Sequence, residues 1–445
     1  MKKKPILLSP NRIIALGFLL IILLGAVLLT LPAASRTGDG LPFLDSLFTA
    51  TSATCVTGLV VADTWTQFNL LGQIVLLLLI QLGGLGYMTL VLMIALLRRK
   101  KISLRERSVM MESVSALRLS DSLSLLRYIL IGTLAIEGLG AILLSFRFIP
   151  ELGFFRGSWY ALFHSVSAFC NAGFDLMGFR EPYSSLTSYV HDPLVNLTVC
   201  ALVLLGGLGF IVWRDIWKNG LHFRRYTLHS KIILPASAVL TLGGALLFWA
   251  AERQGVLAGM EPGQQALAAL FQAVSPRTAG FNTVDLAALT GQSKLISSLL
   301  MFVGAAPAGT GGGIKITTVA VCLLTLGSYV RGKQEVAIFN RRLDQGQVHR
   351  ASVAVTLYLV LAMAGSFLLL VTQGFSLQDT LFEIFSALST VGLSTGITRD
   401  LSAFSRVVVI AMMFCGRIGS LTMIMAVAER LPPRVKDPVE QIVIG

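Results

Sequence analysis

Charge is what this chain has least of. Only 13% of its 445 residues are Asp, Glu, Lys or Arg, where a soluble globular protein carries roughly 25%. So few charges cannot clothe ordinary water-exposed domains, and the soluble classes are excluded as the main body. Cysteine is sparse as well. Cys55, Cys170, Cys200, Cys322 and Cys415 stand far apart, without the spacing of a zinc site or a disulfide framework. The five histidines, His164, His191, His222, His229 and His349, are scattered. No Ser/His/Asp or metal-ligand constellation forms, so the chain does not read as an enzyme.

What fills the space is apolar. Hydrophobic residues make up 54% and the mean hydropathy is +0.76. Eight runs come close to or exceed the ~20 residues that cross a bilayer: 13–31, 72–97, 125–146, 194–214, 231–250, 293–330, 351–371 and 404–428. The N-terminal Met1-Lys2-Lys3-Lys4 imitates a signal-peptide start. The run after it lacks a small-residue cleavage pattern and reads as a first membrane helix.

The net charge of +13 suggests nucleic acid only at first sight. With the N-terminus inside, 25 Lys and Arg fall in inner loops and 9 in outer ones, while Lys315 and Arg417 lie within apolar segments. That is the positive-inside signature. It predicts a multi-pass chain in a bilayer with both termini cytoplasmic and no nucleic-acid partner.

The four outer segments resemble one another. They are 43–59, 158–174, 266–281 and 377–393, and each carries a Leu-Phe pair: Leu47-Phe48, Leu162-Phe163, Leu270-Phe271 and Leu381-Phe382. Small residues and Ser follow, then Gly and a large apolar residue. Repeat three, with Pro276 and Arg277, is one residue shorter between Phe and Gly. Half-apolar segments of this length are too short to span and fit re-entrant helices buried in a bundle. A helix that stops midway leaves unsatisfied carbonyls and partial negative charge at its end. Irregular backbone beyond it is tolerated only around a watery cavity, where carbonyls can replace the hydration shell of K⁺.

The expected ion-binding backbone is therefore Val56, Thr57 and Gly58; Asn171, Ala172 and Gly173; Thr278, Ala279 and Gly280; and Thr390, Val391 and Gly392. The last stretch is the nearest to the TVG of K⁺-channel filters. The fold class expected is all-α integral membrane: eight transmembrane helices and four re-entrant pore helices, in fourfold pseudo-symmetric repeats around one pore. The repeats would cover 1–100, 101–220, 221–335 and 336–430, with a cytoplasmic tail at 431–445.

On these four pore loops, together with SPRTAGFN (275–282), HSVSAFCNAGF (164–174), FCGRIGSLT (414–422) and the broken sixth span, the chain resembles the Trk/Ktr/HKT superfamily of potassium transporters. Within it the resemblance is to the KtrB-type membrane subunit, and it covers essentially the whole chain. It implies K⁺ selectivity, because all four filter positions are Gly, with Na⁺ as a second candidate ion. It implies a homodimer with one pore per protomer, working in a bacterial inner membrane with a cytosolic KtrA-like ring. Nucleotide would bind that ring, and this chain would carry no cofactor of its own. The family also implies that the break in the sixth span, Gly304, Ala305, Ala306, Pro307, Ala308, Gly309, Thr310, Gly311, Gly312 and Gly313, is an intramembrane gating loop, and that Arg417 sits in the pore below the filter.

Each of these residues has a plainer reading. The break could be a packing kink of small residues, and Arg417 a structural ion pair. GTGGGIK (309–315) lacks the spacing of a phosphate-binding loop, and Asn196-Leu197-Thr198 matches a glycosylation acceptor by chance. Lys315 is expected to snorkel towards the cytoplasm. Glu137 is a candidate coupling ligand or a structural acid. Asp63, Asp175, Asp285 and Asp400, just beyond the four filters, would make the outer mouth negative. Arg277 is expected to point away from the pore and anchor its loop. The C-terminal Ile442-Val443-Ile444-Gly445 is compatible with packing on a second protomer. The competing class is a secondary transporter of another small cation or solute. It predicts inverted repeats, whereas all four repeats here run the same way.

Overall fold

The structure is a computed structural model that describes residues 10–86, 122–220, 222–333 and 335–419. Long uncharged runs must satisfy their backbone within the segment, and they do so as helices. In repeat one, α1 (Pro10–Thr30) leads to the short α2 (Phe43–Thr54) and then α3 (Leu70–Leu85). Repeat two has α4 (Ser122–Leu152), the short α5 (Phe154–Phe169), α6 (Pro193–Leu208) and α7 (Phe210–Asn219). Repeat three has α8 (Leu228–Glu252), the short α9 (Pro262–Val274), α10 (Gly291–Phe302) and α11 (Ile316–Val330). Repeat four has α12 (Gln345–Thr372), the short α13 (Leu377–Leu388) and α14 (Ala403–Ile418).

Each repeat thus opens on a long helix, continues with a short buried one and goes on to a further helix of 12–16 residues. Phe48, Phe163, Phe271 and Phe382 in the short helices are buried in the core. The outer faces of the long helices stay apolar, as at Leu24, Leu134, Val239 and Phe367. A surface of that kind is stable against lipid and not against water.

The helix that leaves each short segment starts on a side-chain cap, which supplies an acceptor for otherwise orphaned N–H groups. The caps are Asn69, Asp192, Thr290 and Ser402. In every repeat this helix ends at, or gives way after, 12–16 residues. α3 stops at Gly86 (φ +75°), α6 at Gly209 (φ +85°) and α14 at Gly419 (φ +90°), while α10 gives way to the irregular stretch 303–315.

The expectation is of an interruption in the sixth run alone. Among the described residues four helices are long and apolar enough to cross a membrane, or five if α6 and α7, bent by 95°, count as one. The sequence singles out only the third break. Hydropathy runs on through a glycine bend, so LGGLG at 82–86 and 205–209 hides its break among leucines. Beyond Gly86 and Gly419 the second and eighth runs leave the described residues. So do most of the basic loop 98–127 and the whole C-terminal tail. The basic loop 331–350 contains a small hairpin, β1 (Ala337–Ile338) against β2 (Arg341–Arg342), with Ala337 opposite Arg342. Phe339 and Asn340 turn it with positive φ, as a two-residue hairpin requires.

Candidate functional site

Each short helix is followed by a backbone pinned from behind by a serine. In repeat one Thr57 N–H donates to Ser52 O at 2.8 Å and Gly58 N–H to Ser52 Oγ at 3.0 Å. Repeat four does the same, with Val391 N–H to Ser386 O at 2.8 Å and Gly392 N–H to Ser386 Oγ at 3.0 Å. In repeat two Ala172 N–H donates to Ser167 O at 2.8 Å, and Ser167 Oγ donates to Phe174 O at 2.7 Å. Repeat three absorbs its missing residue here. Ser275, the helix C-cap, accepts from Ala279 N–H at 2.9 Å and donates to Phe281 O. The N–H groups are consumed behind the strand, which leaves the carbonyls to find partners on its other side.

The four strands share their backbone dihedrals. Val56, Asn171, Thr278 and Thr390 have φ of +50°, +58°, +73° and +53°, and Gly58, Gly173, Gly280 and Gly392 have +93°, +69°, +84° and +94°. A non-glycine residue in the left-handed region costs about 1–2 kcal/mol. Four such residues at one position mean that the surroundings impose the shape.

The four strands close a circle. A Cβ at Gly58 would lie 2.6 Å from Ala172 O, one at Gly173 2.8 Å from Ala279 O, and one at Gly280 2.5 Å from Val391 O. A Cβ at Gly392 would overlap Thr57 O. Each repeat's glycine therefore abuts the carbonyl before the next repeat's glycine, in the order one, two, three, four and back to one. All twelve expected ion-binding residues lie in this ring.

The 304–313 stretch packs on the ring's inner side. Gly312 N–H donates to Thr390 Oγ1 at 3.1 Å, and side chains at Gly311 and Gly312 would overlap Thr278 Oγ1 and Thr390 Oγ1. Thr310 Oγ1 donates to Phe169 O at 3.0 Å, at the end of α5, and Thr310 N–H to Gly206 O at 3.1 Å. Ala306 N–H donates to Gly207 O at 2.9 Å, and Phe210 N–H to Ala308 O at 2.9 Å. Pro307 O lies 2.5 Å from where a Cβ at Gly209 would stand. Arg417 reaches this stretch from α14. Its guanidinium donates to Thr310 O and Gly83 O, and to Gly84 O at 3.2 Å. These partners are carbonyls and not a carboxylate.

The family profile described as TrkH, cation transport protein, matches residues 18–435. The chain belongs to the TrkH cation transport family. Among proteins of known role, it is 41% identical to the Ktr system potassium uptake protein B of Vibrio alginolyticus, over 98% of this chain and 94% of that one. It is 38% identical to the protein of the same name from Bacillus subtilis, covering 98% and 97%. It is also 38% identical to the potassium/sodium uptake protein NtpJ of Enterococcus hirae, covering 98% of each. The crystal structure of the potassium transporter TrkH from Vibrio parahaemolyticus superposes with a TM-score of 0.74 at 19% identity, over 96% of this chain and 87% of that one. At that identity the likeness speaks for the fold. This chain is accordingly a mostly helical membrane transporter of the TrkH family.

Other side chains of this TrkH-family chain fall in three places. The vestibule outside the ring is lined by Asp63, Asp175 and Asp285, with Arg399 among them. Asp63 bridges two repeats, accepting from Thr66 N–H at 2.8 Å and Tyr183 N–H at 2.9 Å. Burial and the neighbouring Asp63 push the Asp175 carboxyl up to about 7, against the pull of the Met177 N–H bond. Asp400 departs from its expected place. It is exposed and outside the vestibule lining, where its carbonyl accepts from Gln373 Nε2 at 2.7 Å.

Behind the ring, Arg277 donates to Thr241 Oγ1 at 3.1 Å and Ser237 Oγ at 3.0 Å on α8, so it anchors its loop away from the axis. Glu137 is buried behind repeat two, accepting from Gln81 Nε2 at 3.3 Å, with Cys170 Sγ 3.8 Å away. Below the ring, Lys315 does not snorkel as expected. Its Nζ donates to Gly311 O at 2.7 Å, because the α10–α11 break offers a free carbonyl closer than water. His164 and Glu383, both buried in short helices, escaped the sequence reading as site residues; a single polar residue among apolar ones gives no periodic signal.

Proposed function

We propose that this chain is the membrane subunit of a potassium uptake system and that K⁺ passes through the ring formed by 56–58, 171–173, 278–280 and 390–392. The observation that carries the reading is the closed circle of four glycines. Each holds positive φ and abuts the next repeat's carbonyl, a backbone arrangement suited to replacing a K⁺ hydration shell. The potassium named in the Vibrio and Bacillus relatives supports the choice of ion. K⁺ entry is driven by the membrane potential, and a Na⁺ link belongs to the same reading, since one relative carries both ions in its name.

In this proposal the 304–313 stretch is the gate and Arg417 its latch from α14. The chain makes eight passes through a bacterial plasma membrane with four re-entrant pore helices, in repeats 1–100, 101–220, 221–335 and 336–430, with both termini in the cytoplasm. It works as a homodimer with a KtrA-like nucleotide-binding ring, and the word "system" in the relatives' names supports a partner subunit.

The test is ⁸⁶Rb⁺ uptake and growth rescue in a bacterial strain without K⁺ uptake systems, with the ring subunit co-expressed. Saturable uptake outcompeted by K⁺ and not by Na⁺ is expected. Membrane expression without uptake overturns the reading.

A further inference from the structure

Within the four short helices one position stands out chemically. The residue after the Leu-Phe pair is Thr49, His164, Gln272 or Glu383, and all four are buried. Their partners divide them into two diagonal pairs. In repeat four the Glu383 carboxylate accepts from Ser394 Oγ at 2.8 Å and from Thr398 Oγ1. Ser394 is two residues past Gly392, its Oγ also accepts from Gly396 N–H at 3.0 Å, and both hydroxyl residues line the vestibule. In repeat two His164 Nδ1 faces Tyr160 O at 2.7 Å, which leaves Nε2 as an acceptor for Leu176 N–H at 3.3 Å, three residues past Gly173. Both side chains reach across from the short helix to the chain leaving the ring. Among the described residues the Thr49 hydroxyl bonds back along its own helix, to Asp45 O at 2.8 Å, and Gln272 Nε2 has no partner.

The ring order sets repeats two and four opposite each other. A bond from a buried group to the outgoing strand fixes where the glycine before it can move. A hydrogen bond to a carboxylate is also stronger than one between neutral groups.

We propose that Glu383 and His164 are a diagonal pair of positioning residues that set the width of the ion ring, and so its discrimination between K⁺ and Na⁺, through Ser394, Thr398 and Leu176. This rests on the ion-conducting reading given above. Glu383 acts through the vestibule wall of repeat four and does not itself touch the ion. Repeats one and three, without such a bond from this position of the short helix, follow the diameter that the other two impose.

The experiment measures ⁸⁶Rb⁺ uptake with K⁺ or Na⁺ as competitor, for the full chain co-expressed with its ring subunit. E383Q is expected to lower K⁺-over-Na⁺ discrimination about tenfold, the effect of weakening one charged hydrogen bond. The S394A/T398A double variant is expected to do the same, and adding E383Q to it to change little further, since all three act through one contact. T49A, at the matching position of repeat one, is expected to leave discrimination as it was. Wild-type discrimination in both E383Q and S394A/T398A overturns the proposal, as does full additivity between them or an equal loss in T49A. Should E383Q fail to reach the membrane, S394A/T398A reads the same contact. A wild-type protein that does not prefer K⁺ defeats the underlying ion-conducting reading instead, which separates the two failures.

Discussion

At the glycine ring the four repeats do one thing four times; on its inner side they part ways. The ring is made of backbone, and its requirement, alternating φ with room for a neighbour's carbonyl, is met by the same residue type in every repeat. On the inner side, Gly83, Gly206 and Gly416 press equally close to the ends of α2, α5 and α13, since a Cβ there would overlap Thr54 O, Phe169 O or Leu388 O. The next residue in line is Gly84, Gly207 or Arg417, and repeat three puts a whole loop there. Coordination of one ion by many equal dipoles calls for equivalence. A closure that must open cannot bond equally to all sides, and the proposed gate meets that need with one loop, held by Arg417 and Lys315.

The largest effect that would break this contrast is expected at the ring. Gly392→Ala places a Cβ on Thr57 O at φ +94°, and the circle cannot close around it. ⁸⁶Rb⁺ uptake should fall roughly hundredfold at normal membrane expression, given strain and overlap of a few kcal/mol. Gly58→Ser, whose Cβ would stand 2.6 Å from Ala172 O, should keep transport while losing discrimination against Na⁺. Competition assays read this directly, and unchanged selectivity would remove Gly58 from the ring's function.

On the inner side the sign reverses. Deleting 305–312 removes the bonds to Gly206, Gly207 and Thr390 and should raise uptake several-fold. Arg417→Gln, which loses the charged contact to Thr310 O on the loop, should raise it by up to about tenfold, a hydrogen bond to a charged group being worth ~1.5 kcal/mol. Lower flux in both variants at normal expression would make this stretch structural and not a closure.

The smallest effect lies outside the ring. With its carboxyl pushed up to about 7 by burial, Asp175 is mostly charged at pH 8 and mostly neutral at pH 6. The vestibule therefore loses negative charge as the outer pH falls, and the apparent KM for K⁺ should rise about twofold. Asp175→Asn should flatten that profile at the higher KM. A slope that survives the substitution assigns it to another group.

How much of this could be read from the sequence follows the same division. The ring was legible because its parts recur: a Leu-Phe pair, a serine and a glycine at nearly constant spacing. Even the shortened third repeat kept the pattern. The bend at Gly209 and the helix ends at Gly86 and Gly419 are hidden in the sequence because an apolar run looks the same whether or not one straight helix fills it. Lys315 was misjudged because snorkelling assumes that water is the nearest acceptor, and here an unpaired carbonyl at Gly311 is nearer. Glu383 was passed over because its partners, Ser394 and Thr398, are ordinary loop residues until the fold brings them beneath it.

The meeting of Gly392 with Thr57 has a consequence for how the molecule is made. The first strand of the circle leaves the ribosome early and its neighbour on one side almost last, so the two wait for each other across nearly the whole synthesis. Contacts between such distant parts of a chain form slowly. Until repeat four inserts, the circle stands open, with repeats one and three each lacking a neighbour. Completion of the pore is then a late, all-or-none event, and a substitution in repeat four can lower the yield of assembled protein by prolonging that wait, even where the finished circle would tolerate it.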